Sequence, residues 1–293
     1  MSMTLQAAGA VLSPPGRPYD EDPTTLSYYR DLVEPFGLEV APDLLRSAPN
    51  VTHRDLVDRL AAIEGIRDSA PDLVIVAQAL PDVTPFVAIA PYLDRLLGGG
   101  SANNLGIGQQ GLAAPFTALR VVSAFQRAGR SRTAVLAVLE QTTLPTRFPL
   151  VHDNGLVDSG VALVLGTTGG PRVAGVETIP ATESPLDRIG ELAAKDPAGT
   201  LVVTGPWFDQ RGLDQDGPRH RVEPGSYCTS VWLALARNWR SWQHRYTTVL
   251  LCDTDPRSGE SHLAVLSSDS AETGTSAETG DSAETGASGE GVL

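Results

Sequence analysis

The segment Leu105–Leu119 contains three glycines that lead into an apolar stretch predicted to be a buried helix. A turn of this kind presents one side chain and several backbone N–H groups at the positive end of a helix, where a cysteine or serine would be activated as a nucleophile. This chain has Leu112 there, which offers no such chemistry. The backbone N–H groups of Gly111, Leu112 and Ala113 are predicted to form a binding notch for a substrate carbonyl, which Leu112 partly plugs.

Cys228 is the other candidate nucleophile, because it lies just before a second apolar stretch with helical character. A helix N-terminus would stabilise its thiolate by about 0.3–1 kcal/mol, and His220, in a polar loop upstream, could act as its base. The alternative is that Cys228 is a small buried hydrophobic residue and His220 a solvated loop residue. Cys252, at the end of an apolar strand, is interpreted as structural. The sequence leaves both interpretations of Cys228 open.

The glycines also spell G-x-G-x-x-G, the fingerprint of a dinucleotide site. That fingerprint follows an apolar strand directly, whereas residues 98–104 here are polar and rich in glycine. Its acidic residue should come roughly 20 residues further on, and Glu140 is too distant. The sequence therefore predicts no nucleotide cofactor. It also predicts no metal site, because the two cysteines lack C-x-x-C spacing and a histidine at metal-binding spacing.

Composition limits the function classes. A chain of 293 residues with 41% hydrophobic residues can bury a full core. Its net charge of −13 argues against nucleic-acid binding, which needs a basic surface. No apolar run reaches the roughly 20 residues of a membrane span, and the N-terminus lacks the features of a secretory signal. With only two cysteines, these features favour a cytoplasmic protein that does not bind membranes.

The segment 267–293 repeats S-A-E-T-G three times and carries six acidic residues and no basic one, nearly half of the net charge. Its few apolar groups cannot offset the entropy lost on ordering, so this tail is predicted to be disordered. A solubilising role is favoured over a partner-binding one.

The rest of the chain alternates strands with helices. Continuous apolar runs of strand length are typical of parallel strands covered on both faces. The predicted strands are Thr4–Leu12, Asp72–Leu80, Leu105–Gln109, Thr133–Leu139, an antiparallel pair Val161–Leu165 and Arg172–Val176, Thr200–Thr204, Thr247–Cys252 and His262–Leu266. The predicted helices cover parts of Thr24–Asp68 and then Phe86–Leu97, Leu112–Ala128, Pro185–Ala194 and Ser226–Arg240. This order predicts an α/β protein with two related halves.

The order and content of these segments resemble the thiolase superfamily, and most closely its β-ketoacyl-acyl-carrier-protein synthase III branch. Asp72–Pro85 is similar to that branch's strand with a threonine- and proline-rich exit, and Leu105–Leu119 to the segment carrying its catalytic cysteine. Asp153–Leu165 is similar to its glycine-bearing hairpin. The resemblance implies a five-layer αβαβα fold. Residues 1–178 would form the N-terminal half and 179–266 a shortened C-terminal half, followed by the tail at 267–293.

The family's chemistry uses a cysteine that carries the acyl group, with a histidine and an asparagine that stabilise an enolate. Transferred position by position, the cysteine falls on Leu112, the histidine on Gly205 and the asparagine on Ser226. Leu112 cannot form a thioester, Gly205 offers no side-chain donor, and Ser226 is at best a weak substitute for the asparagine. The resemblance therefore implies a chain that does not catalyse the ordinary condensation, and no catalytic residue is expected.

The family contains such chains, namely chain-length factors and the small subunit of 2-alkylquinolone synthase, each of which pairs with an active homologue. The resemblance thus implies a silent subunit of a heterodimer in a fatty-acid or polyketide-type pathway, with a homodimer as the other assembly. Two alternatives stay open. One is a stand-alone acyltransferase or thioester-processing enzyme that uses Cys228, and the other is a binding protein for acyl-carrier protein or acyl-CoA.

Overall fold

The computed structural model describes residues 2–84, 87–213 and 217–268. The strands within these residues are β1 (Thr4–Leu12), β2 (Leu73–Gln78), β3 (Asn103–Ile107), β4 (Ala134–Glu140), β5 (Ser159–Gly166), β6 (Arg172–Ile179), β7 (Thr200–Thr204), β8 (Arg219–Arg221), β9 (Thr248–Thr254) and β10 (Ser261–Ser267). The helices are α1 (Pro23–Val33), α2 (Pro42–Ser47), α3 (His53–Ala61), α4 (Glu64–Arg67), α5 (Ile89–Gly98), α6 (Ala114–Arg127), α7 (Pro149–His152), α8 (Pro185–Ala193) and α9 (Ser230–Trp242).

The strand order shows an internal repeat. The sheet runs β3-β2-β4-β5-β1-β6-β10-β9-β7-β8. Strands β6 to β10 therefore occupy, in turn, the places that β1 to β5 occupy in the first half. The directions agree too, since β2–β4 and β7–β9 are parallel while β4–β5 and β9–β10 are antiparallel. A single residue pair, Thr4 and Arg172, joins β1 to β6. Two related halves are thus visible in the topology.

The two halves enclose a central helical layer. Helix α6 packs on β2, β3 and β4 of one half and on β6 and β10 of the other, and α9 packs on β1, β5 and β9. The rings of Phe116 and Trp232 meet edge-on between these helices, with centroids 4.9 Å apart. Helices α3, α4 and α5 cover the outer face of the first half, and α8 covers that of the second. These layers form the αβαβα arrangement.

The alternation of side chains along β2 explains why its sequence is apolar throughout. Leu73 and Ile75 belong to the central core, whereas Val74 and Val76 belong to the core beneath the outer helices. A strand covered on both faces buries every residue, so its sequence shows no polar alternation. The prediction of doubly covered parallel strands is confirmed.

Other sequence predictions need correction. Val161–Leu165 and Arg172–Val176 do not pair with each other, because β1 lies between β5 and β6. The loop between them leaves room for this strand, and the Leu5 N–H donates to the Pro171 carbonyl. Helix α9 begins at Ser230 rather than Ser226. The loop assigned to His220 contains the short strand β8.

The disordered tail is predicted to begin at residue 267, but Ser267 is the last residue of β10, and residues 269–293 lie outside the described residues. Within the described residues, no helix is both long and apolar enough to cross a bilayer. No group of three or more metal-binding side chains is found there either.

Candidate functional site

The N-terminus of helix α6 is the position where the sequence predicted an elbow. A 3₁₀ turn, Gly111–Ala113, precedes the helix, and the Leu112 side chain is buried. The Leu112 N–H donates to Oδ2 of Asp255 at 3.2 Å, and the Ala113 N–H donates to the Gln110 carbonyl. Two of the N–H groups predicted to form a binding notch therefore donate to groups of the chain itself.

Asp255 is held in this position by two further donors. The Tyr227 hydroxyl donates to the same Oδ2 at 2.7 Å, and the Arg257 N–H donates to Oδ1 at 2.8 Å. Burial, together with the neighbouring Asp255 carboxylate, raises the pKa of Tyr227 above its ordinary value, so the hydroxyl stays protonated and donates. A Cβ at Gly111 would lie 2.4 Å from the Tyr227 hydroxyl oxygen and 2.5 Å from Asp255 Oδ2. No side chain fits there.

The turn before α9 is closed in the same way. Glu140, the last residue of β4, is fully buried and accepts hydrogen bonds from the backbone N–H groups of Tyr227 at 2.9 Å and Cys228 at 2.6 Å. Burial raises the pKa of Glu140 to about 7, although these hydrogen bonds act in the opposite direction. The carboxyl group thus occupies the position in which an anion is most favourable, at the start of a central helix.

The two carboxyl groups are related by the internal repeat. Glu140 ends β4 in the first half and caps the turn before α9 in the second. Asp255 follows β9, the counterpart of β4, and caps the turn before α6 in the first half. Each half therefore closes the other half's central helix. Carboxyl groups of this chain thus accept hydrogen bonds from the backbone N–H groups of Leu112, Tyr227 and Cys228.

The position that the resemblance assigned to histidine is also filled. The backbone of Gly205 is buried, and a Cβ there would lie 1.8 Å from Oδ2 of Asp253. The Asp253 carboxyl group accepts hydrogen bonds from the Ser230 hydroxyl at 2.8 Å and the Trp207 N–H at 3.1 Å. Burial raises the pKa of Asp253 to about 7. A histidine cannot be accommodated at 205 without moving this carboxyl group.

The third position, Ser226, is buried, and its carbonyl accepts a hydrogen bond from Nε1 of Trp207 at 3.0 Å. Trp207 also packs edge-on against Tyr227, with ring centroids 5.9 Å apart. Trp207 and Tyr227 thereby link the surroundings of Ser226 to Asp253 beside Gly205 and to Asp255 at Leu112. A chain of contacts thus connects the surroundings of the three positions.

Comparison with solved structures identifies the fold. The chain matches 3-oxoacyl-(acyl carrier protein) synthase III, FabH, from Pseudomonas aeruginosa PAO1 with a TM-score of 0.61 and 15% identity, over 91% of this chain and 98% of that one. An OleA variant from Xanthomonas campestris, with bound lauric acid and lauroyl-CoA, matches with a TM-score of 0.59 and 13% identity, over 91% and 99%. The tetronic acid condensing enzyme AbyA1 matches with 0.59 and 17%, over 91% and 100%. The fold is that of the synthase III-like condensing enzymes.

These matches establish the thiolase-like architecture, because each covers nearly the whole of both chains. No protein-family model matches the sequence, and neither does any curated protein. The comparisons therefore show the fold, and the state of the site depends on this chain's own contacts.

Within this synthase III-like fold, Cys228 is an unfavourable nucleophile. It is buried, and its Sγ donates to the Leu139 carbonyl at 3.4 Å. Burial and the Glu140 carboxyl group raise the pKa of the thiol well above its ordinary value. His220, in β8, packs its ring against Trp242 at 5.3 Å. Within the described part of the chain, no hydrogen bond or ring contact joins His220 to Cys228.

The sequence did not single out Asp253, Asp255 or Tyr227. The available signal was a D-T-D motif directly after the apolar strand V-L-L-C, where carboxyl groups reach the ends of neighbouring strands. Their partners lie far away in sequence, so residue spacing could not reveal the contacts.

Cysteine labelling tests the state of this thiol. We expect iodoacetamide to leave the native chain unmodified over the time in which it labels both cysteines of the unfolded chain, because both thiols are buried with raised pKa values. Intact-mass spectrometry measures the difference. One rapid label on the native protein, lost in Cys228→Ala, would show instead that Cys228 is an exposed thiolate.

Proposed function

We propose that this chain is a catalytically silent synthase III-like subunit that pairs with an active homologue in an acyl-condensing pathway. The carrying observation is that both central helix N-termini are occupied by carboxyl groups of this chain, Asp255 and Glu140, while Leu112 stands at the nucleophile position. The chain keeps the central helical layer of the fold but has no nucleophile at Leu112. This combination favours a role in assembly over a role in catalysis.

The two edges of the sheet support an assembly role. Strand β8 forms one edge, with only three residues and arginines at 219 and 221. Short, charged strands of this kind are protected against pairing with another chain. Strand β3 forms the other edge with the sequence N-N-L-G-I, which has no charge, and Leu105 is 36% exposed. An unprotected edge favours pairing with a partner subunit through β3.

The partner proposed here is a different, active chain. A homodimer would contain two Leu112 residues and therefore no nucleophile in either subunit. In a heterodimer the active subunit would supply the acyl-carrying cysteine and would bind the acyl-CoA or acyl-carrier protein. This chain would stabilise that subunit and shape its acyl pocket.

Co-purification of the tagged chain with its nearest synthase III-like homologue from the same genome tests the assembly. We expect a stable complex for the wild type and for Leu12→Lys, and at least a tenfold weaker one for Leu105→Lys, because a charge on β3 would be buried in the interface. Leu12 is a matched control, since it ends β1 and is 43% exposed.

Circular dichroism and thermal unfolding of each monomer establish that both variants fold. A wild-type chain that forms a stable homodimer and ignores the homologue would overturn the proposal. Equal loss of the complex in both leucine variants would remove β3 as the interface.

A further inference from the structure

A cavity lies at the carboxyl ends of β2 and β3, and its wall includes Gly108 and Gln109, just before the turn that holds Leu112. Its volume is about 500 Å³, within the range of small-molecule sites. The walls come from α1, α3, the start of α5 and the segment after β2. Apolar side chains such as Leu32, Val76 and Ile107 form part of the lining, and its polar side chains are Tyr28, His53, Gln78, Asp82, Thr84 and Gln109.

His53, the first residue of α3, is fully buried in the wall of this cavity, and neither ring nitrogen has a hydrogen-bond partner. A buried polar group without a partner costs about 1–3 kcal/mol. Its position in a cavity wall therefore points to a bound group that supplies the missing contacts. Burial lowers the pKa of His53, although the Asp82 carboxylate acts in the opposite direction. The ring is thus neutral at neutral pH.

Asp82 faces the same space. Its Oδ1 accepts hydrogen bonds from the backbone N–H groups of His53 and Val83, both at 2.8 Å, which fixes the carboxyl group. Its Oδ2 is buried, has no partner and lies 3.9 Å from Nδ1 of His53. A ligand donor that reaches both atoms would lie to one side of the line joining them, about 3 Å from each. Nδ1 of His53 and Oδ2 of Asp82 thus form a pair of neighbouring acceptor atoms whose positions are fixed by the surrounding structure.

The charged side chains of the cavity wall indicate which ligand charge would be favoured. Among the described lining residues Asp82 carries the only carboxylate, and none is a lysine or an arginine. An anion would therefore find no compensating charge, whereas an ammonium group would pair with Asp82 and donate to it.

We propose that this cavity binds a small organic amine, whose ammonium group donates to Asp82 Oδ2 and His53 while its hydrocarbon part contacts the apolar wall. The site differs from the silent condensing site in its polar groups, because His53 belongs to α3 and Asp82 to the segment after β2. It would give the chain a ligand of its own, distinct from an acyl thioester.

Three probes of the same shape and different charge test the inference on the full chain: isopentylamine, isopentanol and isovalerate. Titrations followed by the ¹⁵N signals of the His53 ring, at about pH 7.5 where burial keeps this ring neutral, report binding at His53. We expect the amine to bind roughly tenfold or more tightly than isovalerate, with isopentanol between them, because a hydrogen bond to a charged group is the stronger one. This comparison needs no variant.

Amine binding to the Asp82→Asn variant then tests whether the amine binds at Asp82. The asparagine keeps an acceptor for the two backbone N–H groups and removes the charge, so amine binding should weaken roughly tenfold. Asp158→Asn is the control, since Asp158 is a buried carboxyl group bonded to Thr142 and is not part of the cavity wall. Equal binding of amine and isovalerate, no binding of any probe, or amine binding that Asp82→Asn leaves unchanged would each overturn the inference.

Discussion

Gly111→Ala is expected to lower the free energy of unfolding by about 3–5 kcal/mol. Gly111 has φ +55°, a left-handed conformation that costs an alanine about 1 kcal/mol. Most of the loss in unfolding free energy comes from steric overlap, because the new Cβ would lie 2.4 Å from the Tyr227 hydroxyl oxygen and 2.5 Å from Asp255 Oδ2. Both groups would have to move, which breaks the hydrogen bond between them and leaves a buried carboxylate short of donors.

Gly129→Ala is the matched control for this prediction. Gly129 also has a positive φ, +68°, but a Cβ there would meet nothing within 4 Å. We expect Gly129→Ala to lower the free energy of unfolding by only the cost of the left-handed conformation, about 1 kcal/mol. Urea unfolding of the three proteins measures the difference. Equal losses in the two variants would show that the contacts among Gly111, Tyr227 and Asp255 do not constrain the turn.

Glu140→Gln is expected to remove about 3 kcal/mol of pH dependence from the free energy of unfolding. Burial raises the pKa of Glu140 from 4.5 to about 7 in the folded chain. The folded state therefore binds this proton more tightly than the unfolded state. The stabilisation is fully present below about pH 4.5 and is lost as the pH rises through about 7.

The measurement is urea unfolding of wild type and Glu140→Gln from about pH 4.5 to 8. The variant should gain stability relative to the wild type across this window, because the glutamine pays no cost for ionisation in the core. Asp253, whose pKa is also raised to about 7, titrates in both proteins and so cancels in the difference. Parallel curves would show that the ionisation of Glu140 does not couple to folding.

Sequence patterns predict a helix or strand well where the pattern depends only on the residues of that element. The bounds of β1 and β7 agree with the predicted segments Thr4–Leu12 and Thr200–Thr204, and β7 is buried along its whole length. The patterns fail where a distant segment decides the outcome. The insertion of β1 between β5 and β6 depends on pairing across more than half of the chain. Strand β8 is missed because its charged residues give no strand pattern.

The candidate site is predicted only in part for the same reason. The resemblance places Leu112, Gly205 and Ser226 in related positions, and the structure gathers them. Asp255 reaches Leu112 from 143 residues further along the chain, and Asp253 lies against Gly205 from the end of a neighbouring strand. Local spacing cannot indicate that a carboxyl group closes a helix more than a hundred residues away, and His53 with Asp82 was missed on similar grounds.

The most direct test of the central claim is intact-mass analysis of the chain after incubation with an acyl-CoA, alone and beside its active homologue. The account predicts no acyl adduct on this chain under either condition and an adduct on the homologue, formed faster or retained longer in the complex. An acyl adduct on this chain alone, at Cys228 or any other residue, would contradict it.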